Sequence, residues 1–128
     1  MNPKSKITLA VVVGAALGAA AIQGLHAQAT PKAYTVSELE TLDAAANAAF
    51  VPVIAAAQQA AGGRNLRTGG GKIILMEGGT APKRVAITEW DSLAKAQAFY
   101  NSKAWNDLTP QREKAVKTMR RYIVEVAN

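Results

Sequence analysis

Residues 78–92 have the sequence GGTAPKRVAITEWDS and contain a turn, a strand and a helix start in direct succession. The segment Gly78–Pro82 is rich in the residue types that form turns. Arg84–Trp90 follows with the apolar and β-branched side chains typical of a strand. Asp91 and Ser92 can then accept hydrogen bonds from the first amides of a helix. The pattern predicts a strand that is entered from a turn and left directly into a helix.

The residues before this segment predict one strand and one long helix. Ala33–Glu40 alternates apolar and polar side chains, as a half-buried strand does. Thr41 is expected to cap a helix that runs to Ala61 and ends at Gly62-Gly63, where glycine permits the left-handed conformation. Pro52 lies inside this helix and is expected to kink or split it, because proline lacks the amide hydrogen.

A further strand is predicted between that helix and the turn. Arg64–Thr68 and Lys72–Glu77 both have the composition of a strand. Gly69–Gly71 separates them, and glycines inside a strand permit a bulge or a sharp bend. We therefore expect one strand, bent at the glycines.

The residues after the turn complete the fold. The second helix is interrupted at Asn101-Ser102, a further helix starts at Thr109-Pro110, and Arg121–Val126 is the last strand. The order β-α-β-β-α-β is the ferredoxin-like pattern. It predicts an α+β domain with a four-stranded antiparallel sheet and its helices on one face.

The predicted sheet has apolar side chains on both faces. In the second strand Ile73 and Leu75 point to one face while Ile74 and Met76 point to the other. Two helices can cover only one of these faces. The excess apolar surface predicts that a second copy covers the other face, in a symmetric homodimer.

The N-terminus predicts export. Lys4 and Lys6 precede the apolar run Ile7–Ile22, and the small residues Ala27 and Ala29 follow as possible cleavage positions. We expect residues 1–29 to be a cleaved signal peptide and residues 30–128 to be a periplasmic or secreted domain without stable membrane insertion. A retained anchor is the alternative, but the run is shorter than the roughly 20 residues that span a bilayer.

The residue inventory excludes several chemistries. His26 is the only histidine, it lies in the predicted signal peptide, and the chain has no cysteine. The mature domain therefore lacks the residues of a Ser-His-Asp triad, a cysteine nucleophile, a disulfide, a Cys/His zinc site and a histidine-ligated haem. We expect no metal and no cofactor. The basic residues are scattered, so no nucleic-acid partner is expected either.

Four stretches of the sequence together resemble one known family: Ala61–Arg64, Leu66–Gly70 with Glu77-Gly78, Arg84–Trp90, and Phe99–Trp105 leading to Arg112. Through them the chain from Ala33 to Val126 resembles the family called domain of unknown function 1330, within the dimeric α/β-barrel superfamily. The resemblance implies a homodimer in which two sheets form a barrel. It implies no reaction.

Glu89 is the candidate catalytic residue. Alternation places it on the sheet face of Val85 and Ile87, where a carboxylate needs a partner. If Arg67 or Arg112 is that partner, the pair is a structural ion pair. The alternative is a general base with a raised pKa beside an apolar pocket.

Four other residues are candidates for ligand binding: Arg67, Tyr100, Trp105 and Arg112. Tyr100 and Trp105 flank the break at Asn101-Ser102 and are expected to line a pocket between helix and sheet, with Arg112 holding an anionic group. Core packing is the alternative for the two aromatic residues.

The sequence leaves three functions open. The first, which we expect, is a homodimer that binds a small apolar or weakly acidic molecule between helix and sheet. The second is a cofactor-independent monooxygenase or isomerase with a carboxylate base, as the broader superfamily implies. The third is a structural or protein-interaction module. Fold analogy does not choose among them.

Overall fold

The computed structural model of the chain describes residues 30–127. The predicted signal peptide, residues 1–29, lies outside the described residues. The strands are β1 (Ala33–Thr41), β2 (Arg64–Asn65), β3 (Arg84–Trp90) and β4 (Val116–Glu125). The helices are α1 (Ala44–Ala60), α2 (Leu93–Tyr100), α3 (Lys103–Asn106) and α4 (Thr109–Ala115), with a 3₁₀ turn at Thr68–Gly70.

The four strands form one antiparallel sheet in the order β2-β3-β1-β4. At its centre, Val36 of β1 lies opposite Ile87 of β3 on one side and Tyr122 of β4 on the other. The element order and the antiparallel sheet are those of the ferredoxin-like fold, so the predicted α+β fold class is confirmed.

A bulge interrupts the pairing of β1 with β4. Glu38 pairs with Arg120, whereas Leu39 pairs with Thr118, so the ladder skips Met119. An extra residue of this kind shifts the alternation of side chains along one strand.

The inner face of the sheet, which the helices cover, holds the core. In β1 every second residue is buried: Ala33, Thr35, Ser37 and Leu39. Leu39 packs with Phe50 of α1 and with Ala115 and Val116, where α4 passes directly into β4.

A second buried cluster surrounds Trp90, which has no exposed surface. Its Nε1 donates a hydrogen bond to Thr35 Oγ1 at 3.0 Å. Its ring centroid lies 5.2 Å from that of Phe99 in α2, and Trp105 of α3 completes the cluster. These contacts join β3, β1 and the two short helices.

Side-chain caps set the helix starts. Asp43 Oδ1 accepts a hydrogen bond from Ala46 N at 2.7 Å, so α1 begins at Ala44, after Asp43 and not after Thr41 as predicted. Ser92 caps α2, as predicted, by accepting a hydrogen bond from the amide of Lys95. α1 continues through Pro52, so the proline does not split it.

The predicted long second strand is wrong, because β2 contains only Arg64 and Asn65. Thr68 Oγ1 accepts the hydrogen bond of the Ile87 amide at 3.1 Å and so takes the place of a strand partner. Residues 72–77 form no strand, and Ile74 and Met76 are 71% and 85% exposed.

The last strand is longer than predicted. It was expected to begin at Arg121, but β4 begins at Val116, which pairs with Thr41 at the end of β1. The bulge lets the pairing continue past the point where the sequence alternation changes phase.

The outer face of the sheet is only partly covered. Val36, Val85 and Ile87 are half-buried there, and Tyr122 and Val124 are exposed. Within residues 30–127 no helix is long and apolar enough to cross a membrane.

We expect Gly63→Ala to destabilise the fold by about 1–3 kcal/mol, the usual cost of overpacking a core. A Cβ at this position would lie 2.9 Å from Trp90 Cη2 and 3.0 Å from Thr88 Cγ2. Urea unfolding of the variant and the wild type measures the difference. Gly70→Ala is the control, because a Cβ there meets nothing within 4 Å. Equal stability of Gly63→Ala and the wild type would contradict the packing described for Trp90.

Candidate functional site

A cavity of about 550 Å³ lies between α1 and the inner face of the sheet. Its apolar wall is formed by Leu39, Phe50 and Ile54. Small side chains at the centre of the sheet, Ser37 and Ala86, leave the space open. The cavity exists because strand alternation points these short residues toward the helix.

Five arginines line the cavity: Arg64, Arg67, Arg84, Arg112 and Arg121. The described residues that line it include no Asp or Glu. Within residues 30–127, the arginine ion pairs are those of Arg64 with Glu89 and Asp91 and of Arg120 with Glu38. Four cavity arginines therefore have no carboxylate partner in the described part of the chain.

Arg121 extends from β4 across the inner face of the sheet. Its Nε donates a hydrogen bond to Ser37 Oγ at 2.9 Å. Its guanidinium carbon lies 4.8 Å from the centroid of the Trp105 ring. Burial lowers the pKa of Arg121, and the nearby positive charge of Arg112 lowers it further. A half-buried cation of this kind is stabilised when an anion binds beside it.

Arg112 contacts the same aromatic side chain. Its guanidinium carbon lies 3.9 Å from the centroid of the Trp105 ring, within the range of a cation–π contact. Its Nη2 donates to Thr109 Oγ1 at 3.1 Å, and its Nη1 donates to the Trp105 carbonyl at 3.5 Å. Burial lowers the pKa of Arg112.

The structure brings the predicted residues Tyr100, Trp105 and Arg112 together at the cavity. The rings of Tyr100 and Trp105 pack edge to face with centroids 4.9 Å apart. Trp105 is also buried in the core cluster. It therefore fills volume in the core and also contacts the guanidinium groups of Arg112 and Arg121. Whether these residues bind a ligand stays a prediction.

Arg67 and Arg84 line the cavity near the 3₁₀ turn. Arg67, also predicted, is exposed and has a left-handed backbone with φ 57°, which is uncommon for a residue other than glycine. Arg84 donates from Nη1 to Asn47 Oδ1 at 2.9 Å. It lies so close to Gly69 that a Cβ there would be 3.1 Å from its Nε and Nη2. The absence of a side chain at Gly69 therefore leaves space for the Arg84 guanidinium.

Glu89 is absent from the lining of the cavity, because alternation along β3 puts it on the outer face. Its carboxylate accepts hydrogen bonds from Lys32 Nζ at 3.0 Å, Tyr34 Oη at 2.9 Å and Arg64 Nε at 2.8 Å. Its partner is thus neither Arg67 nor Arg112.

These bonds, first from Lys32 and then from Tyr34 and Arg64, lower the pKa of Glu89 to about 2. The general-base alternative requires a raised pKa, whereas every donor here favours the charged form and lowers the pKa of Glu89. The contacts are those of an ion pair at a strand edge. A catalytic role for Glu89 stays a prediction that no contact tests.

Arg84, Arg121 and Ser37 were missed by the sequence reasoning. Arg121 shares the alternation of Ile123, which gave one signal that it faces inward. The described residues contain no group of three or more His, Cys, Asp or Glu side chains that could hold a metal ion.

The lowered pKa of Glu89 predicts a pH-dependent contribution to stability. The contribution is complete above the ordinary pKa near 4.5 and is lost as the pH falls toward about 2. We expect Glu89→Gln to lower the free energy of unfolding at pH 7, and the difference from the wild type to shrink between pH 5 and pH 2. Urea unfolding at several pH values measures it.

The control for that experiment is Glu113→Gln, which changes an exposed carboxylate in α4. We expect its difference from the wild type to stay small over the same pH range. A Glu89→Gln deficit that is equal at pH 7 and pH 3 would show that the ion pairs are not its source.

Two solved structures have a similar fold. RPA0582, a protein of unknown function from Rhodopseudomonas palustris, has a TM-score of 0.59 and 15% sequence identity, with 84% of this chain and 92% of that chain covered. The structure of methylated RPA0582 has a TM-score of 0.56 and 14% identity, with 84% and 90% covered. At these identities the likeness concerns the fold alone.

No curated protein matches the chain in sequence. The family described as domain of unknown function (DUF1330) matches residues 32–127, and the resemblance predicted from the sequence is thereby confirmed. This chain belongs to the DUF1330 family.

Proposed function

We propose that this domain binds a small apolar or weakly acidic molecule in the cavity between α1 and the sheet. One observation carries the proposal: the cavity is lined by four arginines that have no carboxylate partner among residues 30–127. Three of the four, Arg84, Arg112 and Arg121, are half-buried, and an arginine that only stabilises a fold is usually paired when it is withdrawn from water. Arginines lining a cavity of this size fit the binding of an anion better than they fit packing.

The dimensions and chemistry of the cavity support the same proposal. Its volume of about 550 Å³ lies within the range of small-molecule sites, roughly 300–1,000 Å³. Leu39, Phe50 and Ile54 offer apolar surface on one side, and the arginines offer positive charge on another. A molecule with one apolar part and one acidic group would match both.

The proposal includes a homodimer. Tyr122 is 44% exposed and Val124 is 47% exposed on the outer face of the sheet, beside the half-buried Val36 and Ile87. Ile74 and Met76 add exposed apolar surface in the segment that follows the 3₁₀ turn. A second copy of the chain, packed against the outer face, would remove this surface from water.

The proposal also keeps the predicted export. Lys4 and Lys6, the apolar run Ile7–Ile22 and the small residues Ala27 and Ala29 support a cleaved signal peptide. The domain would then act in the periplasm or outside the cell.

Ligand binding is tested by blocking the cavity. Ala55 of α1 lines the cavity, so we expect Ala55→Phe to fill part of it. In a thermal-shift screen of small organic acids and neutral apolar compounds, wild-type hits should lose their effect in this variant. A ligand at about 100 times its Kd stabilises a protein by about 2.7 kcal/mol, which a melting curve resolves.

Ala56→Phe is the matched control, because Ala56 is the next residue of α1 and is exposed away from the cavity lining. Every compound that stabilises the wild type should also stabilise this variant. Hits that persist in Ala55→Phe, or a panel with no hit in the wild type, would refute the cavity as the binding site.

The homodimer is tested by a charge on the outer face. We expect sedimentation velocity to show a dimer for the wild type and a monomer for Tyr122→Glu, because a buried unpaired carboxylate is costly. Leu42→Glu changes another exposed apolar residue, 57% exposed and outside the sheet, and should stay dimeric. A wild type that sediments as a monomer at high concentration would disprove the dimer.

A further inference from the structure

We infer that Arg121 binds the carboxylate of an organic monoacid whose apolar tail lies against the wall formed by Leu39, Phe50 and Ile54. The inference rests on the proposed function and assigns the ligand its chemical class and orientation. It is carried by the burial and the hydrogen bonds of the cavity arginines, because Arg121 is the half-buried one whose two Nη atoms make no hydrogen bond in the described part of the chain.

Arg121 is fixed at one end and free at the other. Its Nε donates to Ser37 Oγ at 2.9 Å, which sets the direction of the guanidinium plane. In the described part of the chain, neither of its Nη atoms donates a hydrogen bond. These two atoms can bind the two oxygens of one carboxylate, the arrangement in which arginine is most effective.

The other cavity arginines are engaged differently. Arg112 already donates from each Nη, to the Trp105 carbonyl and to Thr109, so both tips of its fork have a protein partner. Arg84 has one Nη bonded to Asn47 and lies against Gly69. Arg67 is exposed, and Arg64 is paired with Glu89 and Asp91. The geometry thus leaves Arg121 as the bidentate site.

Two positive charges share the Trp105 ring in this cavity. The guanidinium carbons of Arg112 and Arg121 lie 3.9 Å and 4.8 Å from its centroid. Like charges this close disfavour each other, and burial adds to the cost. A bound anion offsets both effects. A single carboxylate suffices, because only Arg121 of these two has both Nη atoms without a hydrogen bond in the described part of the chain.

The orientation of the tail follows from β1. Leu39 lies two residues after Ser37 on the same face of the strand. The apolar wall of the cavity therefore begins next to Ser37, the residue to which Arg121 is hydrogen-bonded. Phe50 packs against Leu39, and Ile54 lies at the edge of that cluster. A chain or ring attached to the carboxylate would leave Arg121 and enter this apolar region.

The experiment compares octanoate, octan-1-ol and octylamine, which differ only in the head group, by isothermal titration calorimetry on the protein expressed from its full sequence. We expect the wild type to bind octanoate more tightly than octan-1-ol, and octylamine least. Arg121→Gln should weaken octanoate binding by about tenfold or more, the range for a lost charged hydrogen bond, and leave octan-1-ol unchanged.

Two further variants sharpen the assignment. Arg120→Gln makes the same chemical change one residue earlier, on the outer face where Arg120 pairs with Glu38, and should keep the preference for octanoate. Ser37→Ala keeps the charge of Arg121 and removes the acceptor that orients it. It should weaken octanoate binding by less than Arg121→Gln does, and it decides the question if Arg121→Gln fails to fold.

The outcomes separate the two proposals. If octanoate and octan-1-ol bind the wild type equally and Ala55→Phe abolishes both, the assignment to Arg121 is wrong and the cavity function stands. The same conclusion follows if Arg121→Gln, or Ser37→Ala where that variant alone folds, keeps the full preference for octanoate. If neither probe binds, or if Ala55→Phe changes neither, the cavity function is wrong and the assignment falls with it.

Discussion

The rest of the inner layer depends on the packing around the buried side chain of Trp90. The indole bonds to Thr35 in the neighbouring strand, packs on Phe99 of α2 and leaves no room for a side chain at Gly63, where α1 has just ended. One side chain thus contacts the segment that follows α1, the neighbouring strand β1 and the last turn of α2. A residue of this volume carries a large share of the apolar area that folding removes from water.

The cavity forms where the inner layer lacks large side chains. Trp90 fills one end of the space between helices and sheet, while Ser37 and Ala86 leave the middle of the sheet short of volume. Phe50 of α1 packs against Leu39, and Gly63, which follows the helix, lies against Trp90, so contacts on both sides of the gap hold α1 away from the short residues. The result is an opening lined by arginines.

The sequence predicted well where a local signal was complete. β3 has the predicted bounds because turn residues precede it and the Ser92 cap follows it, and alternation placed Glu89 on its true face. Prediction failed where a distant group decided the outcome. The Thr68 hydroxyl takes the Ile87 amide and ends β2 early, and no local pattern reveals such a bond. The partners of Glu89 were missed for the same reason, since Lys32 and Arg64 come from two separate segments.

The skipped residue in β4 has a consequence for the electrostatics of the domain. Arg120 and Arg121 are adjacent in the chain, and strand geometry sends them to opposite sides of the sheet. Met119 sets which of them goes where, because in an unbroken ladder counted from Val116 it would stand opposite Glu38 and Arg120 opposite Ser37. If Met119 were paired in such an unbroken ladder, the two guanidinium groups would exchange faces, so the polarity of the interior depends on a single unpaired backbone position.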